Sequence, residues 1–399
     1  MPRYYLDANA TTSLDPQVRA VMAPLLDGAL GNPSSLHAEG RRARGEIDAA
    51  RDVVAAWLRA RPSEIIFTGG GTESCNLAIR GLAHAHASRG RHLVTAKTEH
   101  HAVLHTFRAL EQKDGFSVTW LDVDESGLID PAELAAALRP DTTLVSIMSA
   151  NNETGVRQPM REIGEVCAKR GVLFHTDAVQ SAGKEPLDFS GWQVAAASLA
   201  AHKFHGPAGA GVLWLKQGVP IMRLMEGGAH ENERRPGTEN TVAIAGMAAA
   251  VRLHGHVDAT EMARQFRWTE ALWKKLERLG GARRNGDSQR RIANTLNVSF
   301  QGLRGEDLLI ALDLAGLAVS SGSACLVGSV QPSHVLAAMG VPHNWAAATV
   351  RFSIDASIRD EDLDPIARKV ADVVNHQRKL RGWTPEGMAR QTRPEMSPA

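Results

Sequence analysis

Between about residue 63 and residue 215, short apolar runs alternate with longer segments whose apolar residues recur at helical spacing. Residues 65–67, 92–95, 118–123, 144–148, 172–175 and 211–215 read as strands, and 73–87, 131–138 and 160–170 as helices between them. Pro131 directly after Asp130 marks a helix start, because aspartate caps the first free N–H groups and proline tolerates the first turn. Such alternation predicts an α/β layer with a mostly parallel central sheet. An Ala-rich stretch over 242–279 then reads as one or two long helices. Beyond it come a strand at 295–300, a helix at 306–315, a strand at 350–354 and a helix at 360–378. The predicted organisation is a large domain over 15–255 and a smaller α/β domain over 256–399, joined by the N-terminal segment 1–14.

A length of 399 residues, with 43% hydrophobic and 22% charged residues, suits two domains and a substantial core. The net charge of +1 gives no electrostatic case for nucleic acid or an anionic membrane as main partner. Neither a signal-peptide core nor an apolar run of membrane-spanning length is present, so the expected location is cytoplasmic. Three widely spaced cysteines do not make a disulfide framework, and each is read separately.

Lys203, in Ala200-Ala201-His202-Lys203-Phe204-His205-Gly206-Pro207, follows the apolar stretch 194–200 and precedes a Gly/Pro turn. Asp177 lies upstream in Phe174-His175-Thr176-Asp177-Ala178-Val179-Gln180. An aspartate ending one buried strand and a lysine following a later one fit pyridoxal phosphate (PLP). The amine condenses with the cofactor aldehyde, and the carboxylate keeps the pyridine nitrogen protonated. Gly69-Gly70-Gly71-Thr72 follows a strand and opens a helix, where free N–H groups and the Thr72 hydroxyl suit the cofactor's phosphate. His100, after the strand at 92–95, suits stacking on a planar ring and proton transfer near neutral pH. In Asn151-Asn152-Glu153-Thr154-Gly155 an asparagine amide can meet the phenolic oxygen of the cofactor, as can Gln180. The spacings His101/His105 and His202/His205 lack further ligands, so no metal is expected.

In the second domain Cys325 sits in Ser320-Ser321-Gly322-Ser323-Ala324-Cys325-Leu326-Val327-Gly328-Ser329, a small, polar setting unlike that of a buried cysteine. Arg351, inside an otherwise apolar strand, needs a carboxylate partner. An amino-acid substrate supplies one, and a structural Asp or Glu is the alternative. Cys75, in the first turn of a helix, and Cys167, mid-helix, compete with Cys325 as reactive thiols, and packing suits both better.

With these pieces in order, the chain resembles the cysteine desulfurases of the NifS/IscS type, which are fold-type I PLP enzymes related to the class-V aminotransferases. The resemblance runs from Tyr5-Leu6-Asp7-Ala8-Asn9-Ala10-Thr11-Thr12 to about Arg378, through Gly31-Asn32-Pro33-Ser34-Ser35, Thr98-Glu99-His100 and Arg235-Pro236-Gly237-Thr238-Glu239-Asn240. It implies that Lys203 holds PLP, Asp177 pairs with the pyridine nitrogen and His100 stacks on the ring. Asn152 and Gln180 would touch ring substituents, while Gly71, Thr72 and His202 would line the phosphate site. Thr238 would reach the phosphate of a neighbouring subunit in a homodimer. Arg351, with Asn9 and Asn152 nearby, would hold L-cysteine, and Cys325 would take its sulfur as a persulfide for a sulfur-acceptor protein. A selenocysteine lyase or cystine β-lyase on the same fold is the rival. Ala200, Ala201, Ala208, Cys75 and Leu326 depart from the usual family residues, and none removes a group the chemistry requires.

Overall fold

The computed structural model describes residues 2–28, 30–321 and 333–383. Two compact units divide the chain: Thr11–Asn152 with Val156–Ala259, and Met1–Ala10 with Glu153–Gly155 and Thr260–Ala399.

The larger unit is built on a seven-stranded sheet. Its strands are β1 (Ile65–Thr68), β2 (His92–Ala96), β3 (Ser117–Leu121), β4 (Thr142–Ser146), β5 (Leu173–Asp177), β6 (Ala196–Ala200) and β7 (Gly211–Leu215). They lie in the order β1-β7-β6-β5-β4-β2-β3. β7 is antiparallel to both neighbours, and the other pairs are parallel. The C-terminal ends of β1 to β6 therefore share one edge of the sheet, the edge on which open α/β sheets carry their ligands. The apolar stretch before Lys203 is the strand β6. Its alanines keep the sheet surface low where the Gly71–Ala85 helix packs. The Ala-rich stretch breaks into two helices, Thr241–His254 and Ala259–Glu277.

Strands buried on both faces read as near-continuous apolar runs, and the polar residues within them must find partners. His175 of β5 does so on both sides. Its Nδ1 lies 2.8 Å from Ser146 Oγ on β4, and its Nε2 lies 2.9 Å from Ser198 Oγ on β6. Burial drives its pKa from the ordinary 6.5 down to about 3, so the ring is neutral in the folded protein. An unfolded chain takes up a proton on this residue below about pH 6.5, whereas the folded chain resists until about pH 3. Stability contributed here falls as pH drops through that window, by about 2 kcal/mol at pH 5. We expect His175→Asn, which does not titrate, to flatten the acid limb of a urea-unfolding series between pH 7 and 5. An unchanged slope would contradict this.

In the smaller unit a three-stranded antiparallel sheet runs Thr349–Ser353, Thr295–Phe300, Ala282–Asn285. The Leu363–Leu380 helix turns Ile366, Ala367, Val370 and Val374 inward, at the spacing of one helical face. The chain's first residues belong to this unit. Tyr4–Tyr5 pairs in parallel with Leu317–Ala318, and the Leu6 carbonyl accepts from Ser353 N–H at 2.8 Å. Among the described residues no helix is long and apolar enough to cross a membrane.

Candidate active site

In the larger unit the predicted cofactor residues leave the shared edge of the sheet one strand at a time. After β1 the chain turns through Gly69 and Gly70 into the 15-residue Gly71–Ala85 helix. Gly70 has φ +147°, a backbone state that side-chain-bearing residues avoid. At Gly71 a Cβ would stand 2.8 Å from Val179 Cγ2. The close approach of the loop to the strand ends thus requires that position bare. As first-turn residues, Gly71, Thr72 and Glu73 have no carbonyl one turn back to accept their N–H groups. Thr72 is exposed at that turn. Glu73 braces the loop, accepting from Gly69 N–H at 2.7 Å and from Arg235 Nε at 2.7 Å.

Asp177 ends β5 and is buried. Its Oδ1 accepts from Val179 N–H at 3.0 Å, and Cys75 Sγ lies 3.6 Å from its Oδ2 as donor. Burial and the Asp177 charge push the Cys75 thiol well above its ordinary value, so it stays protonated. Burial pushes Cys167 up to about 12. Neither is a nucleophile near neutral pH. Cys325 lies outside the described residues.

Lys203 follows β6 on the Ala201–Lys203 turn and is half-buried. Thr12 pins that turn: its N–H donates to the His202 carbonyl at 2.9 Å, and its hydroxyl accepts from His205 N–H at 2.7 Å. His202 Nδ1 lies 3.2 Å from Thr11 Oγ1. Burial, with the Lys203 and Lys184 charges beside it, lowers the His202 pKa to about 4. It is a neutral hydrogen-bonding group at physiological pH.

His100 caps the His101–Lys113 helix, its Nδ1 accepting from Ala102 N–H at 3.1 Å. An accepting Nδ1 carries no proton, so the ring's N–H is on Nε2. Glu99 is buried, accepts from Met148 N–H at 2.8 Å, and is pushed by burial well above the carboxylate range. Asn152 is half-buried in the turn after β4, where Asn151 Nδ2 donates to the Thr98 carbonyl at 3.0 Å. Gln180 Oε1 accepts from Lys184 Nζ at 3.1 Å, which points the amide's donor end elsewhere. Thr238 is exposed, one residue past Gly237. The rings of His101 and His105 lie side by side, their centroids 5.1 Å apart. Among the described residues no group of three or more His, Cys, Asp or Glu side chains is placed to hold a metal ion.

The smaller unit carries the other predicted residues. Arg351, only 2% exposed, meets a structural acid: its Nη2 lies 2.6 Å from Asp7 Oδ1. Asn9 is buried with both ends of its amide engaged, Nδ2 to Thr295 Oγ1 at 2.8 Å and Oδ1 from Asn294 Nδ2 at 3.2 Å. Glu153 accepts from the Ser333 hydroxyl, and burial raises it to about 7. Sequence reasoning passes over Asp7, Thr12, Glu99 and Glu153 as functional residues. The available signal was a polar residue inside each quoted motif.

Residues 4–366 match the class-V aminotransferase family. The chain belongs to this family. A cysteine desulfurase IscS of Anaeromyxobacter is 46% identical over 385 residues, covering 96% of this chain and 94% of the relative. Among solved structures, a NifS-like protein superposes with a TM-score of 0.86 at 36% identity, covering 94% of this chain and all of that one. SspA, solved in complex with cysteine, gives 0.78 at 36% identity, covering 88% of this chain and 98% of its own. The family's cofactor is PLP, and this chain has the groups to receive it: a carboxylate ending one strand, a lysine on the turn after the adjacent parallel strand, and first-turn N–H groups at the start of the Gly71–Ala85 helix.

Proposed function

We infer that the protein is a PLP-dependent cysteine desulfurase, converting L-cysteine to L-alanine and moving the sulfur to Cys325. The observation that carries this reading is the placement of Lys203, Asp177, His100 and the glycine loop on one edge of one sheet. Relatives that match nearly the whole chain support the reaction.

When bound, PLP supplies the electron sink that makes the α-proton acidic and activates the substrate's sulfur. Lys203 would tether the cofactor, and its amine would serve as the base for the α-proton. Asp177, held by Val179 N–H and the Cys75 thiol, would pair with the pyridine nitrogen. The loop at Gly71 and Thr72, with neutral His202, takes the phosphate. Gln180 and Asn152 would address the cofactor's phenolic oxygen, and His100 offers a proton from Nε2. Arg351 holds the substrate carboxylate. Asn9 acts through its bonds to Thr295 and Asn294, fixing the segment that carries Asp7. The Cys325 thiolate attacks the substrate sulfur: the carbon–sulfur bond breaks, a sulfur–sulfur bond forms, and the carbon left behind takes a proton to become alanine's methyl group. Persulfide sulfur then passes to an acceptor protein, in iron–sulfur cluster assembly or another thiolation route. Exposed Thr238 suits a homodimer in which it completes the partner's phosphate site. The location is cytoplasmic.

The test is to incubate the PLP-loaded protein with L-cysteine and a thiol reductant and to quantify products. Alanine and sulfide in equal amounts are expected. Pyruvate in place of alanine would make the protein a β-lyase.

A further inference from the structure

We propose that Asp7 is the positioning residue for Arg351, setting the guanidinium to receive the substrate's carboxylate. This inference rests on the reading of Arg351 as the carboxylate site. Arg351 lies between Val350 and Phe352, both fully buried, and its own side chain is 2% exposed. A cation so enclosed demands a counter-charge, and Asp7 provides it through one oxygen, Oδ1 to Nη2 at 2.6 Å. The second oxygen is engaged elsewhere, accepting from Ser320 Oγ at 2.9 Å.

Asp7 is itself fixed. Its backbone bridges Ser353 in parallel, its carbonyl accepts from Tyr5 OH at 3.3 Å, and the flanking Leu6 and Ala8 bond Ser353 through carbonyl and N–H. Ser320 in turn pairs with Arg351 through the backbone, Arg351 N–H donating to the Ser320 carbonyl at 2.7 Å. The contacts close a ring: Arg351 side chain to Asp7, Asp7 to Ser320, Ser320 back to the Arg351 main chain. An arginine side chain has several freely turning bonds, and a ring of this kind selects one arrangement of them before substrate arrives, which lowers the entropic cost of binding.

The experiment is steady-state kinetics on the PLP-loaded full chain for wild type, Asp7→Asn, Asp7→Glu, Ser320→Ala, Arg351→Ala and the Asp7→Asn/Arg351→Ala double variant, with L-alanine as product inhibitor. Asp7→Asn is expected to raise KM for L-cysteine and Ki for L-alanine together by about tenfold, the scale of one charge-assisted hydrogen bond. Its kcat and the visible spectrum of the bound cofactor should stay near wild type, and Asp7→Glu should recover part of the loss. The double variant should be no worse in KM than Arg351→Ala. Should Asp7→Asn not fold, Ser320→Ala carries the test, with KM raised about threefold. A KM unchanged or lowered in Asp7→Asn, or unchanged in Ser320→Ala, while Arg351→Ala raises KM, overturns the role of Asp7 and leaves that of Arg351 standing. A KM unchanged in Arg351→Ala overturns both.

Discussion

Lys203→Ala is expected to abolish desulfuration, lowering turnover by about 10³-fold or more. The proposed mechanism puts two roles on one amine: tethering the cofactor and moving the α-proton. The turn that carries it is anchored from outside, by Thr12 on the His202 carbonyl and the His205 N–H. Loss of the amine therefore leaves the fold and the phosphate cradle in place. The variant should retain PLP without a covalent link, measurable as cofactor released by mild acid without a reduction-trapped adduct on the peptide. Lys203→Arg should be equally inactive, because the guanidinium keeps its charge but neither condenses with an aldehyde nor gives up a proton near neutral pH. Near-wild-type alanine production by Lys203→Ala would remove Lys203 from the chemistry.

The second large effect is expected at Asp177. Asp177→Asn keeps the size, and its amide oxygen can still accept from Val179 N–H, so cofactor content should be normal. On the proposed reading, the substitution removes the carboxylate that would face the pyridine nitrogen, and with it the support for the ring's capacity to hold electrons from the substrate. Losing one preorganised electrostatic partner of this kind costs about 10²- to 10³-fold in kcat. The expected signature is a fall in kcat with KM for L-cysteine little changed, since the proposed role of Asp177 is toward the cofactor. A rise in KM at constant kcat would place Asp177 in substrate binding instead. Cys75→Ser, which keeps a donor toward Asp177 Oδ2, should leave kcat within about threefold of wild type.

Much of this was legible in the sequence because strand and helix periods are local. The strands predicted at 295–300 and 211–215 have those bounds in the structure. The strand at Ser117–Leu121 ends two residues before the apolar run does, because Asp122 breaks the pattern before Val123. Strand order and the reversal of β7 were not legible, since each neighbour is chosen by packing across the sheet. The candidate site follows the same division. Lys203, Asp177 and the glycine loop are marked by residue type and by position after a strand. Asp7 is not, because its role depends on a partner 344 residues away. Likewise, nothing local in the sequence says that Cys75 is buried against an aspartate, which is what silences it.

The most direct test of the account is mass spectrometry of the three cysteine peptides after brief exposure of the PLP-loaded protein to L-cysteine without reductant. The account predicts one added sulfur on the Cys325 peptide, none on the Cys75 and Cys167 peptides, and no persulfide at all in Cys325→Ala, which should also make no alanine. Added sulfur on Cys75 or Cys167, or alanine formed at the wild-type rate by Cys325→Ala, would contradict it.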